Sequence, residues 1–164
     1  MRFLINSGIV LLLTLSIEQP SRAQNSNSWP QFRGNHQLTG FSNSALPERL
    51  KLRWTYQAED AIESSAAIVD GTVYVGSLSG DLIALDLESG REKWRYRADD
   101  GIGESSPAVE GEMVYIGDLA GVLHAVNTLT GKMHWTFKTE AEIRSSPVIT
   151  NNIVLIGSYD GYLY

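Results

Sequence analysis

The sequence ALDLESGREKW occupies residues 84–94, and AVNTLTGKMHW occupies residues 125–135. Each stretch contains an alanine, a turn that begins with Asp or Asn and ends with Gly, and a tryptophan at the same spacing. Trp94 and Trp135 lie 41 residues apart, and Trp54 precedes Trp94 by 40 residues. A period of about 40 residues is typical of solenoids, propellers and other repeat arrays. The sequence therefore predicts several copies of one supersecondary unit.

Each period contains four short runs of strand-forming residues. In the first period these runs are residues 65–69, 72–75, 81–85 and 93–97, and Gly, Asn and Asp are common in the turns between them. No sustained helical periodicity follows residue 23, and the second run does not alternate, as expected for a sheet covered on both faces. We predict an all-β fold, a β-propeller of four-stranded antiparallel blades. A two-sheet sandwich would account for the strands but not for the repeat.

The repeat boundaries predict an incomplete arc. Residues 51–164 divide into an outer strand at 53–57, a first blade at 61–100, a second at 101–140 and a partial third at 141–164. This makes about two and a half blades, with 53–57 as the outer strand that closes a ring. The pattern is that of an N-terminal fragment of a longer protein or of a truncated reading frame. Because an arc exposes a blade face and strand edges, we expect the isolated chain to associate or aggregate.

The two quoted stretches resemble the tryptophan-docking motif of the PQQ-like (quinoprotein-type) propeller repeat. The sequence WPQFRG at 29–34 is similar to the segment that precedes the blades in secreted bacterial members, and we name residues 24–50 the lead-in segment. The resemblance implies that each indole packs on the alanine of an adjoining strand or blade, while the turn acceptor and the glycine close the hairpin. It makes structural docking residues of Trp54, Trp94, Trp135, Ala84, Ala125, Gly90 and Gly131.

The resemblance leaves two functions open. One is an exported, non-catalytic scaffold that binds a protein or a ligand through its face loops. The alternative is the N-terminal part of a periplasmic quinoprotein dehydrogenase that oxidises alcohols or sugars with PQQ and calcium. The chain has no cysteine, and therefore lacks the vicinal pair of many such enzymes, and its acidic residues do not follow a calcium-loop spacing. We favour the scaffold, with no catalytic residue, no metal site and no cofactor; PQQ and calcium belong to the alternative alone.

One face of the predicted propeller carries the candidate binding residues. Glu63, Glu104 and Arg144 each directly precede a pair of serines, so we expect them to ring the mouth of the axial channel. Asp118 and Asp160 join this face from the loops between second and third strands. Such a rim would suit a cationic protein segment, a small ligand or a metal. The simpler interpretation is a solvated loop face. The paired serines lack a Gly-x-Ser-x-Gly elbow, and we do not interpret them as nucleophiles.

Charge and composition limit the partners and the location. Thirteen basic and nineteen acidic residues give a net charge of -6, which argues against nucleic acid or an anionic membrane as partner. Residues 1–23 are typical of a signal peptide, with Arg2, an apolar run too short to span a membrane, and small residues at 21 and 23. The absence of cysteine excludes disulfides and lipid anchoring through an N-terminal Cys. We expect an exported protein, periplasmic or secreted.

Overall fold

The computed structural model of the protein describes residues 28–42 and 44–164. The signal peptide predicted at 1–23 lies outside these residues. The described part of the chain forms ten β-strands and no helix, so no helix in it is long and apolar enough to cross a membrane.

The first blade is a four-stranded antiparallel sheet in which each strand pairs with the next along the chain. Its strands are β1 (Ala67–Val69), β2 (Thr72–Gly76), β3 (Asp81–Asp86) and β4 (Glu92–Arg97). Asp70 and Gly71 join β1 to β2 with φ angles of 47° and 70°. A two-residue turn of this kind matches the right-handed twist of the strands that it joins.

The second blade repeats the first strand for strand. It contains β5 (Ala108–Glu110), β6 (Met113–Gly117), β7 (Val122–Asn127) and β8 (Met133–Lys138) in the same order. The register between third and fourth strands shifts after Ala84 in the first blade and after Ala125 in the second. The two sheets therefore share an irregularity as well as a topology.

The third blade contains two strands and the beginning of a third. β9 (Val148–Thr150) and β10 (Ile153–Leu155) pair antiparallel. Beyond them the chain turns back, so that Ile156 and Tyr164 exchange both backbone hydrogen bonds. The predicted fold of incomplete propeller blades is confirmed by these sheets.

The core lies between successive blades. Leu82 of the first blade packs in one buried cluster with Ile102 and Ile116, and Leu123 of the second packs in another with Ile143 and Ile156. Both faces of β2 and β3 are buried, as the non-alternating sequence predicted.

The outer strand predicted at 53–57 is not among the strands of the structure. A strand requires a hydrogen-bonded neighbour, and within the described residues no strand lies beside this segment to provide one. The segment nevertheless packs on the first blade through Trp54 and Tyr56.

Candidate functional site

Trp94 joins the first blade to the second. The Nε1 of Trp94 donates to the backbone oxygen of Thr128 in the second blade at 2.8 Å. Its ring lies so close to Gly131 that a Cβ at that position would be 2.8 Å from the indole. Ala84 is the cross-strand neighbour of Trp94 within the same blade. The indole therefore bridges its own sheet and the turn of the following sheet.

Trp54 and Trp135 show how the docking depends on a following blade. Trp54 donates from Nε1 to Leu87 at 2.9 Å and covers Gly90 in the same manner. Trp135 pairs with Ala125 across the strand, but it remains 38% exposed. Trp135 remains exposed because the described residues of the third blade include no Asp/Asn-to-Gly turn on which its indole could pack.

The first serine of each pair closes its own blade. Ser64 Oγ accepts from Gly76 N at 2.8 Å and donates to Gly76 O at 3.1 Å. Ser145 makes the same two hydrogen bonds with Gly157, at 3.0 and 2.8 Å. These hydroxyls thus tie the loop that precedes the first strand to the end of the second strand.

The second serine of each pair links neighbouring blades. Ser106 Oγ accepts from the backbone N of Ser65 at 2.9 Å, and Ser146 Oγ accepts from Ser106 N at 3.0 Å. The result is a line of hydrogen bonds across the inner ends of three blades, which we call the serine ladder (Ser65, Ser106 and Ser146). The paired serines therefore have a structural explanation.

The lead-in segment crosses the innermost strand of each of the three described blades. Trp29 forms a β-bridge with Ile68, Pro30 O accepts from Val109 N at 2.8 Å, and Gln31 Oε1 accepts from Ile149 N at 3.5 Å. The sequence indicated a family resemblance for this segment but did not predict its position in the fold. Its WPQ tripeptide places one residue on each blade in turn, a pattern that becomes interpretable only when the three inner strands are known to lie side by side.

A cavity of about 400 Å³ opens between the lead-in segment and the loops before the first strands. Phe32 and Leu38 of the lead-in segment line one part of it. Glu63, Glu104 and Arg144 line another, each from a different blade. We call this space the mouth cavity; it contains the three residues that the sequence analysis placed at the axial rim.

The charges at the mouth cavity are unequally paired. Arg144 Nη1 lies 3.0 and 3.1 Å from the two carboxylate oxygens of Glu104, and its Nε donates to Glu142 at 2.7 Å. Its guanidinium also lies 5.7 Å from the ring centre of Tyr159. Glu142 and Glu104 together raise the pKa of Arg144. Glu63 has no ion-pair partner among the described residues.

The pKa of Glu104 lies below its ordinary value because its own backbone amide and then Arg144 stabilise the carboxylate. Glu104 is therefore ionised at neutral pH, and two carboxylates, those of Glu104 and Glu142, lie against the guanidinium of Arg144.

Asp118 is not part of this face, which corrects the prediction. It is fully buried, and its Oδ2 lies 2.9 Å from Nε2 of His124. The Nδ1 of the same imidazole lies 2.9 Å from the hydroxyl of Tyr96 on the first blade. A chain of three polar side chains thus crosses the interface between the blades. The repeat pattern gave no sign of it, because Ile83 occupies the position of His124 in the preceding repeat.

Asp160 organises its own turn. Its Oδ1 accepts from Tyr162 N at 3.0 Å, and its Oδ2 accepts from Glu140 N at 3.0 Å and from the hydroxyl of Tyr164 at 2.9 Å. Desolvation raises the pKa of Asp160, but these hydrogen bonds outweigh it and the net shift is downward. The structure does not place Asp160 in the lining of the mouth cavity.

The described residues assemble no calcium site. Within residues 28–42 and 44–164, no three His, Asp or Glu side chains lie close enough together to hold a metal ion. Calcium takes about six to eight oxygen ligands, whereas Glu104 at the mouth cavity is already engaged by Arg144.

The four-stranded blades, the docked tryptophans and the axial mouth define a β-propeller built from PQQ-like repeats. The chain belongs to the family described as outer membrane protein assembly factor BamB, whose sequence profile matches residues 48–164. No curated protein matches the chain.

Solved structures of both kinds of propeller are similar to it. BamB from Moraxella catarrhalis is 30% identical with a TM-score of 0.60, over 68% of this chain and 35% of that one. Quinohemoprotein alcohol dehydrogenase ADHIIG from Pseudomonas putida HK5 is 24% identical with a TM-score of 0.71, over 81% and 23%. A europium-containing methanol dehydrogenase is 21% identical with a TM-score of 0.73, over 82% and 28%. The chain spans between a quarter and about a third of the length of these proteins.

Proposed function

We propose that this chain belongs to an exported, non-catalytic scaffold that binds an extended, basic segment of a partner protein at the mouth cavity. The observation that carries the proposal is the convergence of Glu63, Glu104 and Arg144, from three successive blades, on one space of about 400 Å³. A cavity of this size has the dimensions of an ordinary ligand site.

Electrostatics favour a cationic group. Glu63, Glu104 and Glu142 carry three negative charges, and Arg144 compensates one of them. Glu63 is the carboxylate that retains no cationic partner among the described residues, so it is the natural contact for an incoming lysine or arginine. Opposite charge at an exposed rim increases the rate of association and selects partners more than it adds affinity.

The wall of the cavity favours an extended segment with apolar side chains beside the basic ones. Phe32 and Leu38 line it and leave apolar surface open to a partner. The serine ladder and the lead-in segment hold the three blades at fixed spacing, so the site is preformed. A preformed site loses less conformational entropy when it binds.

Membership of a family described as an outer membrane protein assembly factor supports a scaffold with a protein partner and a location outside the cytoplasm. The signal-like residues 1–23 agree with that location. The similarity to quinoprotein dehydrogenases, at 24% and 21% identity, is one of fold and adds no support for an activity.

A direct test is fluorescence anisotropy with two labelled peptides of equal length, one alternating lysine and leucine and the other alternating glutamate and leucine. We expect the basic peptide to bind, the acidic peptide not to bind, and Glu63→Gln to weaken the basic complex several-fold. Glu112→Gln is the matched control, because Glu112 is exposed and lies in the β5–β6 turn, away from the cavity. Equal binding of both peptides, or an unchanged affinity of Glu63→Gln, would refute the proposal. Dye reduction by an alcohol or aldose with PQQ and calcium would favour the dehydrogenase alternative instead.

A further inference from the structure

A second cavity, of about 230 Å³, lies between the first two blades at the opposite end from the mouth cavity. The mouth cavity is lined by residues that precede β1 and β5, whereas this cavity is lined by the turns that follow them, at Asp70 and Gly111. Every residue that lines it belongs to one of the two four-stranded blades. We call it the interblade groove, and it is a site separate from the one in the proposed function.

Lys93 lines the interblade groove with one hydrogen-bond donor to spare. Its Nζ donates to Oγ1 of Thr72 at 2.8 Å and to the backbone oxygen of Gly71 at 3.3 Å. Asp86 lies 3.7 Å away, which makes an ion pair but is too long for a hydrogen bond. Because a lysine ammonium carries three donors, one N–H of Lys93 has no acceptor among the described residues.

Asp70 brings the opposite charge to the same groove. It is exposed at the β1–β2 turn, and it forms no ion pair within the described part of the chain. Burial, and to a smaller extent the charge of Asp70, raises the pKa of Tyr74 on the groove wall, and a hydrogen bond with Thr72 opposes them only in part. The groove therefore presents an unpaired carboxylate and an ammonium donor to one small space.

Apolar side chains form the remaining wall of the interblade groove. Val69 contributes from the first blade, and Val109 and Leu129 contribute from the second. Leu129 is 78% exposed, so its side chain leaves apolar surface beside the groove. Covering such surface with a ligand is favourable by roughly 25 cal/mol for each Å².

The repeat does not require the polar groups of the groove. Forty-one residues later, Met113 takes the place of Thr72, and His134 takes the place of Lys93. Gly111 stands at the position of Asp70. The second blade forms the same four-stranded sheet with these replacements. The charged pair is thus additional to what the blade needs in order to fold.

We propose that the interblade groove binds a free α-amino acid with an aliphatic side chain, such as leucine or valine. Lys93 donates to the carboxylate of the ligand, Asp70 accepts from its ammonium group, and the side chain packs on Val109 and Leu129. A simple anion would lie beside Asp70 and a simple cation beside Lys93, whereas a zwitterion forms a charge-assisted hydrogen bond with each. A volume of about 230 Å³ equals roughly eight water molecules, which suits a ligand of this size.

The test compares leucine with two derivatives by isothermal titration calorimetry. N-acetyl-leucine lacks the ammonium group, and leucine amide lacks the carboxylate. Since a hydrogen bond to a charged group contributes about 1.5–3 kcal/mol, we expect each derivative to bind at least about tenfold more weakly than leucine. Because the ligands change and the protein does not, this comparison is independent of how any variant folds.

Two substitutions then assign the groups. Asp70→Asn keeps a residue that tolerates the φ of 47° at this turn; it should weaken leucine about tenfold and leave N-acetyl-leucine unchanged. Lys93→Met should weaken leucine and leave leucine amide unchanged. Lys51→Met is the matched control, because Lys51 is exposed and lies outside the groove, and it should bind leucine normally.

Absence of leucine binding at millimolar concentration would overturn the proposal. Equal affinity for the three compounds would do so as well, since it would show that neither charge of the ligand is recognised. A loss in Asp70→Asn or Lys93→Met that is the same for leucine and for the derivative lacking the paired group would indicate a purely structural effect, and it would refute the assignment of that residue.

Discussion

The hydroxyl oxygen of Ser106 accepts a hydrogen bond from the backbone N–H of Ser65 at 2.9 Å, and so joins the inner edges of the first two blades. Ser146 repeats the contact one blade further on, at 3.0 Å. The serines that flank the mouth cavity therefore hold the blades together.

Removing this hydroxyl should destabilise the fold. In Ser106→Ala the N–H of Ser65 loses its acceptor, and leaving a partly buried donor unpaired costs about 1–3 kcal/mol. The free energy of unfolding from urea titration measures the effect. Ser65→Ala is the control, since the hydroxyl of Ser65 is exposed, and its loss should change stability by less than about 0.5 kcal/mol. Equal values for the two variants would contradict the structural role.

Gly131→Ala should separate steric exclusion from backbone strain. Gly131 has a φ of 66°, and a Cβ there would lie 2.8 Å from the indole of Trp94. Gly111 has a similar φ of 59° but nothing within 4 Å of the added atom. Both alanines incur the strain of a left-handed residue, roughly 1–2 kcal/mol. We therefore expect the thermal midpoint to fall clearly further for Gly131→Ala; equal shifts would argue against indole docking at this glycine.

The buried polar chain across the first blade interface gives a graded prediction. Tyr96→Phe removes one hydrogen bond to His124, worth about 1 kcal/mol. His124→Leu leaves Oδ2 of the buried Asp118 and the hydroxyl of Tyr96 without their imidazole partner, and each buried polar group left unpaired costs about 1–3 kcal/mol. Chemical denaturation should therefore rank His124→Leu well below Tyr96→Phe. The reverse order would show that the imidazole is not the main partner of Asp118.

Acid should weaken the contact of residues 53–57 with the first blade. The Tyr56 hydroxyl and then Arg95 lower the pKa of Glu92 from 4.5. A lowered carboxyl pKa contributes stability above pH 4.5 that is lost as the pH falls through the folded-state pKa. Glu92→Gln should therefore be less stable than the unmodified chain at pH 7, and the gap should narrow below pH 4.5. Unfolding titrations at both pH values, with Glu112→Gln as control, measure this; a gap that does not change with pH would disprove it.

Tyr56 has the opposite dependence at alkaline pH. Burial, and then its hydrogen bond to Glu92, raises the pKa of the phenol above 10.0. Its contribution is complete below pH 10 and is lost as the pH rises through the folded-state value. Tyr56→Phe should abolish that alkaline loss while it leaves the acid response of the other carboxylates intact. Absorbance of the ionised phenolate, followed against pH with and without the substitution, gives the measurement.

The repeat in the sequence predicted most of the fold because period and strand residues are local properties. Runs such as 72–75 and 81–85 became β2 and β3 with one residue added at the end. The outer strand at 53–57 was predicted by aligning Trp54 with Trp94 and Trp135, and a strand depends on a neighbour that the sequence pattern does not guarantee. Asp118 was predicted to lie at the surface because it occupies a loop after a strand. It is buried instead, beside His124, which lies on a neighbouring strand.

The sequence by itself determined the blade, because a 40-residue period, turn glycines and strand residues act within one unit. It also predicted that Glu63, Glu104 and Arg144 share one face, because they hold one position in three repeats, and all three line the mouth cavity. Only the tertiary structure decided how the blades are joined, since the serine ladder, the Tyr96–His124–Asp118 chain and the lead-in segment connect residues from different units. Such contacts depend on distances between sheets, and no spacing along the chain encodes these directly.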